Sequence, residues 1–120
     1  MKIVNPTAIL GENEAAKYLS SKGYTILERN YSKRYGEIDI VAVKNKTLVF
    51  VEVKTRTSSQ FGSPLEAITP WKLKSVVRTA EYYKLTHQNL PDLMRIDAVS
   101  VQLDGNKVES IEHIENISGF

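Results

Sequence analysis

No cysteine occurs among the 120 residues, and that absence removes disulfides, thiolate metal sites and cysteine nucleophiles together. Long apolar runs are missing too: none approaches the ~20 residues needed to cross a bilayer. The opening stretch "MKIVNPTAIL" has one lysine, no extended apolar core and no small-residue cleavage site, which argues against a secretory signal. Repeats, low-complexity tracts and Pro/Gly-rich linkers are lacking as well. A large excess of one charge is also absent: the net charge is +2 and the pI near 8.8, too mild to mark a nucleic-acid binder by composition alone.

What is present is ordinary for a soluble globular chain. The hydrophobic and charged fractions, 42% and 25%, exclude an intrinsically disordered composition. A chain of this length is expected to form one domain over residues 1–120, burying roughly two-thirds of its unfolded surface. A cytoplasmic address fits these features. Charge distribution says more than charge total. Arg29, Lys33 and Arg34 gather around Tyr31 and Tyr35, and Lys54 and Arg56 follow, then Lys72, Lys74 and Arg78; the tail is acidic, with Glu109, Glu112 and Glu115.

Periodicity and punctuation order the elements. Thr7 suits the N-cap of a first helix running to about Ser21, with Gly23 as its stop. Glu12 falls on the same helical stripe as Ala8, Ala15 and Leu19. "YTILERN" reads as a short strand and "YSKRYG" as a polar loop; "EIDIVAVK" and "TLVFVEVKT" read as strong strands separated by Asn45-Lys46. After the polar "RTSSQFGS", Thr69-Pro70 begins a second helix whose apolar face is Leu73, Val76, Val77, Ala80 and Tyr83. "LMRIDAVSVQL" and "KVESIEHI" then pair through Asp104-Gly105-Asn106. The order is αβββαββ, an α/β fold with a mixed central sheet flanked by helices.

The stretch "LVFVEVKTR" carries the chemistry. Leu48, Val49, Phe50, Val51 and Val53 suit a strand buried on both faces, yet Glu52 and Lys54 interrupt it on one side. A two-residue hairpin loop at Asn45-Lys46, the commonest length, places Asp39 opposite Glu52 and Glu37 opposite Lys54. Opposed residues share a sheet face with Cβ atoms about 5 Å apart. One face then reads Val41, Val43, Leu48 and Phe50 followed by the charged pairs; the other, with Ile38, Ile40, Ala42, Val49, Val51 and Val53, is wholly apolar. A three-residue loop would set Asp39 against a valine instead. Two carboxylates held side by side repel, so one must take a proton, or a divalent cation must occupy the site, for which Asp and Glu oxygens are suited. Glu12 can add a third carboxylate from the helix layer, and Lys54 points at the same spot.

An acid-x-Lys step alone is usually a solvated strand edge. Here the apolar flanks on both faces and the arrival of Asp39 in register favour a site. Glu37 reads as the ion-pair partner that fixes Lys54. His87 and His113 read as surface histidines, and Arg95 with Asp97 as a structural ion pair.

These residues carry a resemblance. "GEIDIVAV…LVFVEVKTR" is similar to the PD-(D/E)xK nuclease motif, an Asp on one strand and Glu-x-Lys on the next. "GENEAAKYLSSKGY", "NYSKRYGEIDIVAV", "VFVEVKTR", "FGSPLEAITPWK" and "MRIDAVSV" resemble the YraN-type family of small bacterial proteins over nearly the whole chain. That family is in turn similar to archaeal Holliday-junction resolvases. The resemblance implies a restriction-endonuclease-like core. Glu12 matches the helix acid of the resolvases, Asp39 the motif aspartate, and Glu52 and Lys54 the acid-x-Lys pair. The motif proline is absent; Glu37-Ile38-Asp39 stands in its place.

The function this implies is Mg²⁺- or Mn²⁺-dependent hydrolysis of DNA phosphodiester bonds, extending to branched or junction DNA. Asp39 and Glu52 would hold the metal, with Glu12 and the Val53 carbonyl, while Lys54 positions the water. Arg29, Lys33, Arg34, Arg56 and Lys72 would contact backbone phosphates, giving affinity without base choice. No segment reads as a base-reading helix, and a homodimer is left open. Two other classes fit the same fold: a DNA-binding module that cleaves nothing, and an interaction protein docking through its sheet edge.

Overall fold

A computed structural model describes residues 5–57 and 68–118. The polar "RTSSQFGS" stretch beyond Thr57 and most of the "FGSPLEAITPWK" block lie outside the described residues. The elements are α1 (Pro6–Ser21), β1 (Thr25–Lys33), β2 (Gly36–Lys44), β3 (Thr47–Thr57), α2 (Pro70–Thr86), β4 (Leu93–Asp104) and β5 (Lys107–Ile114), in the expected order. The strands form one sheet, β1-β2-β3-β4-β5. Only β3 and β4 run parallel, because α2 carries the chain back between them; the other neighbours are antiparallel. This is a mixed α/β fold. Among the described residues, no helix is long and apolar enough to cross a membrane.

The helices cover opposite faces. Ala15 and Leu19 of α1 pack with Ile40, Ala42, Val49, Val51, Val99 and Val101. Val76, Ala80 and Tyr83 of α2 pack with Tyr31, Ile38, Val41, Leu48, Phe50 and Ile96. β3 is therefore buried on both faces, as its unbroken apolar run requires. Local rules set the ends. Asn5, not Thr7, caps α1, its side chain accepting from the Thr7 and Ala8 N–H groups; Pro6 then takes the first helical position, where its missing N–H costs nothing. Gly23, at φ 91°, leaves the helix in the left-handed region. Thr69 caps α2 through the Lys72 N–H, with Pro70 next.

Two further sequence expectations need correcting. "YSKRYG" is not a loop: β1 continues to Lys33 and turns into β2 at Arg34-Tyr35. Nor does Ile38 share a face with Ile40. Ile38 packs under α2 and Ile40 under α1, so the strict alternation breaks at Asp39. On the neighbouring strand at the same level, Asn30 adopts a left-handed φ of 53° between the pairs Arg29↔Ile40 and Tyr31↔Ile38. This break in alternation positions the site.

Candidate functional site

The β2–β3 hairpin has the register that a two-residue turn dictates: Lys44↔Thr47, Val43↔Leu48, Ala42↔Val49, Val41↔Phe50 and Ile40↔Val51. There the ladder stops. Asp39 and Glu52 are the next residues along, at the point where β2 stays paired only with β1 and β3 only with β4. Losing the ladder leaves backbone groups of β3 to be satisfied. Asp39 does this with its side chain, Oδ2 accepting the Val53 N–H at 2.8 Å. A carboxylate tied to the neighbouring strand's backbone cannot rotate freely, so Asp39 is held at the mouth of the opening.

Glu52 is only 2% exposed. Lys72, from the first turn of α2, places Nζ 3.6 Å from Glu52 Oε2, and the lysine side chain is 42% exposed. Glu52 Oε1 is buried with no hydrogen-bond partner among the described residues, an arrangement that costs free energy unless something fills the gap. Burial, and then the charge of Asp39, pushes the Glu52 carboxyl up to about 8, against the pull of Lys72 and Lys54. Burial likewise pushes Asp39 up to about 6; the Val53 hydrogen bond and Lys72 oppose this, while Glu12 and Glu37 add to it. α1 delivers Glu12 through a close crossing. Gly11 lies against Thr55 of β3, and a Cβ there would overlap the threonine side chain. Only glycine lets the helix come so near the strand.

The structure thus brings Asp39, Glu52, Glu12, Lys54 and Lys72 into one electrostatic neighbourhood. Glu37 acts on Asp39 as well, but its backbone partner is on β1, and the other basic residues fall elsewhere. Glu37 pairs with Ser32 in the β1–β2 ladder, and no ion pair within 4.0 Å joins it to Lys54 among the described residues. The expected role of Glu37 as a clamp on that lysine is therefore withdrawn. Arg29 lines a shallow groove against α1 with Asn13, Glu14, Lys17 and Ser20, apart from Lys33 and Arg34 at the β1–β2 turn. Lys33 Nζ lies 5.4 Å from the Tyr31 ring, and the Arg34 guanidinium 5.9 Å from that of Tyr35. Arg56 is half-buried near the end of β3.

The same geometry can be set beside known proteins. A match to the uncharacterised protein family UPF0102 covers residues 11–101, a span containing Glu12, Asp39, Glu52, Lys54 and Lys72. A "UPF0102 protein" from Syntrophomonas wolfei is 49% identical over 107 residues, 88% of this chain and 91% of its own. The chain belongs to the UPF0102 family. Other members match as fully: one from Caldanaerobacter subterraneus is 42% identical over 97% of this chain and 98% of its own. One from Alkaliphilus oremlandii is 46% identical over 89% and 92% respectively.

A second polar cluster in this UPF0102 member was only half legible. Arg95 and Asp97 form the expected ion pair, Nε to Oδ1 at 2.8 Å, but His113 joins it. Its side chain is only 10% exposed, with Nε2 2.8 Å from Asp97 Oδ2, so it is not a surface histidine. His87 is not free either; its ring stacks on Tyr83 at 3.8 Å. One ligand atom each of Asp97, His113 and Glu115 lies within 4.8 Å of the others, a grouping able to hold a metal. The Arg95 guanidinium occupies that neighbourhood, reaching both Asp97 oxygens and lying 3.6 Å from Glu115. A cation would have to displace it.

The raised carboxyls make a prediction for the metal-free protein. Between about pH 4.5 and 8 the folded state holds a proton on Glu52 that the unfolded chain has released. Stability therefore falls as pH rises through that window. In the presence of chelator, Glu52→Gln is expected to raise Tm at pH 8 by roughly 5–15 °C, corresponding to about 1–3 kcal/mol. It should leave Tm unchanged near pH 4, where both side chains are neutral. Melting curves at the two pH values check this; a variant that melts lower at pH 8 would contradict it.

Proposed function

We propose that this UPF0102 member is a divalent-metal-dependent nuclease with a restriction-endonuclease-like core, hydrolysing DNA phosphodiester bonds. The observation that carries the reading is the pair of carboxylates where β2 and β3 part, Asp39 half-buried and Glu52 buried. One is pinned by a backbone N–H, and the other presents a buried oxygen without a partner among the described residues. That donor set fits Mg²⁺ or Mn²⁺, which take carboxylate oxygens and offset the burial, and after it the neighbouring negative charge, that raises both groups. Asp39 and Glu52 would hold the ion, with Glu12 from α1. When bound, such an ion polarises a scissile phosphate and lowers the pKa of attacking water.

The chain's own residues do the rest. Val53 N–H fixes the Asp39 carboxylate, so its orientation need not be bought at the moment of reaction. Lys54 follows Glu52 by one pleat on the same side of β3, and its charge acts on that carboxylate. It is placed to hold the attacking water or to meet charge developing on the phosphate. Lys72, partly exposed and paired with Glu52, is placed to exchange that contact for a phosphate oxygen. Arg29, Lys33, Arg34 and Arg56 would bind the backbone away from the reacting bond.

The test is a panel of branched, flapped, single-stranded and duplex DNAs incubated with Mg²⁺, with Mn²⁺ and with chelator. Cleavage that requires metal, and affinity that falls steeply with salt as counterions are displaced, are the expected results. Salt-dependent binding with no cleavage under any metal would leave a DNA-binding module. Failure to bind any of the DNAs would leave the docking protein.

A further inference from the structure

Trp71 is the only tryptophan in the chain, and it is 80% exposed. It contributes nothing to either core. A large aromatic left in water on the first turn of a helix is a binding surface looking for a partner, and its surroundings say which kind. The residue after it is Lys72, whose ammonium reaches Glu52. Lys74 Nζ stands 6.0 Å from the Trp71 ring, and Pro70, Trp71 and Lys74 line a shallow depression of about 230 Å³.

The surface continues along α2. Arg78 lies one further helical repeat on, its guanidinium 4.3 Å from the Tyr35 ring. Tyr35 meets Tyr82 edge to face at 6.2 Å, and Arg34 approaches Tyr35 from the hairpin side. The Ser75 hydroxyl donates to the Tyr35 carbonyl, which fastens the hairpin to the helix. Trp71 and Tyr82 are both exposed and stand about 16 Å apart along the axis. Four cations, Lys72, Lys74, Arg78 and Lys84, accompany a single acid, Glu81, on this helix. Aromatic rings interleaved with lysine and arginine are the chemistry of single-stranded nucleic-acid surfaces: cations track phosphates, and each ring stacks a base.

We propose that Trp71, with the Tyr35–Arg78–Tyr82 cluster, is a stacking platform that selects DNA with unpaired bases beside the carboxylate pair. Bases inside a continuous duplex have both faces covered and cannot use it. A base stacked on Trp71 has its phosphate beside Lys72, and hence beside Glu52. The proposal names the substrate class of the nuclease reading and rests on it, but stacking itself needs no metal.

The test therefore uses the full chain in chelator, where nothing is cut. Because Trp71 is the sole tryptophan, its fluorescence reports stacking directly. Oligothymidylate should quench it saturably, and relaxed closed-circular duplex should not. Trp71→Ala should weaken binding of labelled oligothymidylate about tenfold or more by fluorescence anisotropy, the scale of one lost base–aromatic stack. Duplex affinity and Tm should be unchanged, and Trp71→Phe should keep most of the binding. Equal quenching by closed duplex, or unchanged oligothymidylate affinity in Trp71→Ala, overturns the proposal. So does a concentration-dependent burial of Trp71 without DNA, which would assign this face to a second copy of the chain. The two readings fail separately. Quenching without any metal-dependent cleavage removes the nuclease and supports the platform, whereas cleavage of closed duplex without quenching removes the platform alone.

Discussion

Replacing Lys54 with methionine is expected to lower the single-turnover rate of DNA cleavage by about 10²–10³-fold, the scale for removing one preorganised electrostatic group. Folding should be little affected. Lys54 is half-buried on β3, no ion pair ties it to Glu37 among the described residues, and methionine preserves most of its aliphatic packing. The lysine's charge also lowers the proton affinity of Glu52. The comparison therefore belongs at saturating metal, so that weaker metal binding is not mistaken for slower chemistry. Glu37→Gln is the control: it should cost little in rate, since Glu37 is the smallest of the charges acting on Asp39 and makes no ion pair with Lys54 among the described residues. If Lys54→Met cleaves a substrate as fast as the wild type does, the lysine has no part in the chemistry and the proposed mechanism falls.

Asp97→Ala should destabilise the fold by about 3–5 kcal/mol, the usual cost of removing one partner from a buried ion pair. Asp97 is fully buried and accepts four hydrogen bonds. Oδ1 takes Arg95 Nε at 2.8 Å and the Asn116 N–H at 2.9 Å; Oδ2 takes Arg95 NH2 at 3.1 Å and His113 Nε2 at 2.8 Å. Burial alone would raise its pKa, but the hydrogen bonds from His113, Arg95 and Asn116 and the charge of Arg95 outweigh this and hold it below the ordinary value. The stability it contributes is therefore complete above about pH 4 and is lost as pH falls through the lowered pKa. Chemical denaturation at neutral pH measures the loss. Asp97→Ala should also release the segment after β5, where Asn116 is held by Asp97 and the Ile117 N–H by the Ile96 carbonyl. Amide exchange there should rise more than in β2 and β3. A variant within 1 kcal/mol of wild type would show the cluster to be dispensable, as solvated ion pairs usually are.

These two residues also show how far the sequence reaches. Glu52 and Lys54 are conspicuous because charge inside an unbroken apolar run is costly, and a period of two assigns them one side of the strand. Asp39 follows from turn length, since Asn45-Lys46 sets the register of every later pair. Asp97 carries the same signal, an acid within "MRIDAVSV", but nothing local says that His113, sixteen residues on, will meet it. That contact depends on β5 folding back beside β4.

By itself, then, the sequence determined the order of elements, the hairpin register, the doubly buried centre and the acids that interrupt it, because these depend on local periodicity, turn chemistry and side-chain hydration. Only the tertiary structure decided what surrounds those acids. The irregularity at Asn30 and Asp39 coincides with the end of the ladder and sets Ile38 on the other face, against simple alternation. The packing of α2 sets Lys72, rather than Glu37, against the site and leaves Trp71 in water. Long-range packing selects such contacts among many that the local pattern allows equally.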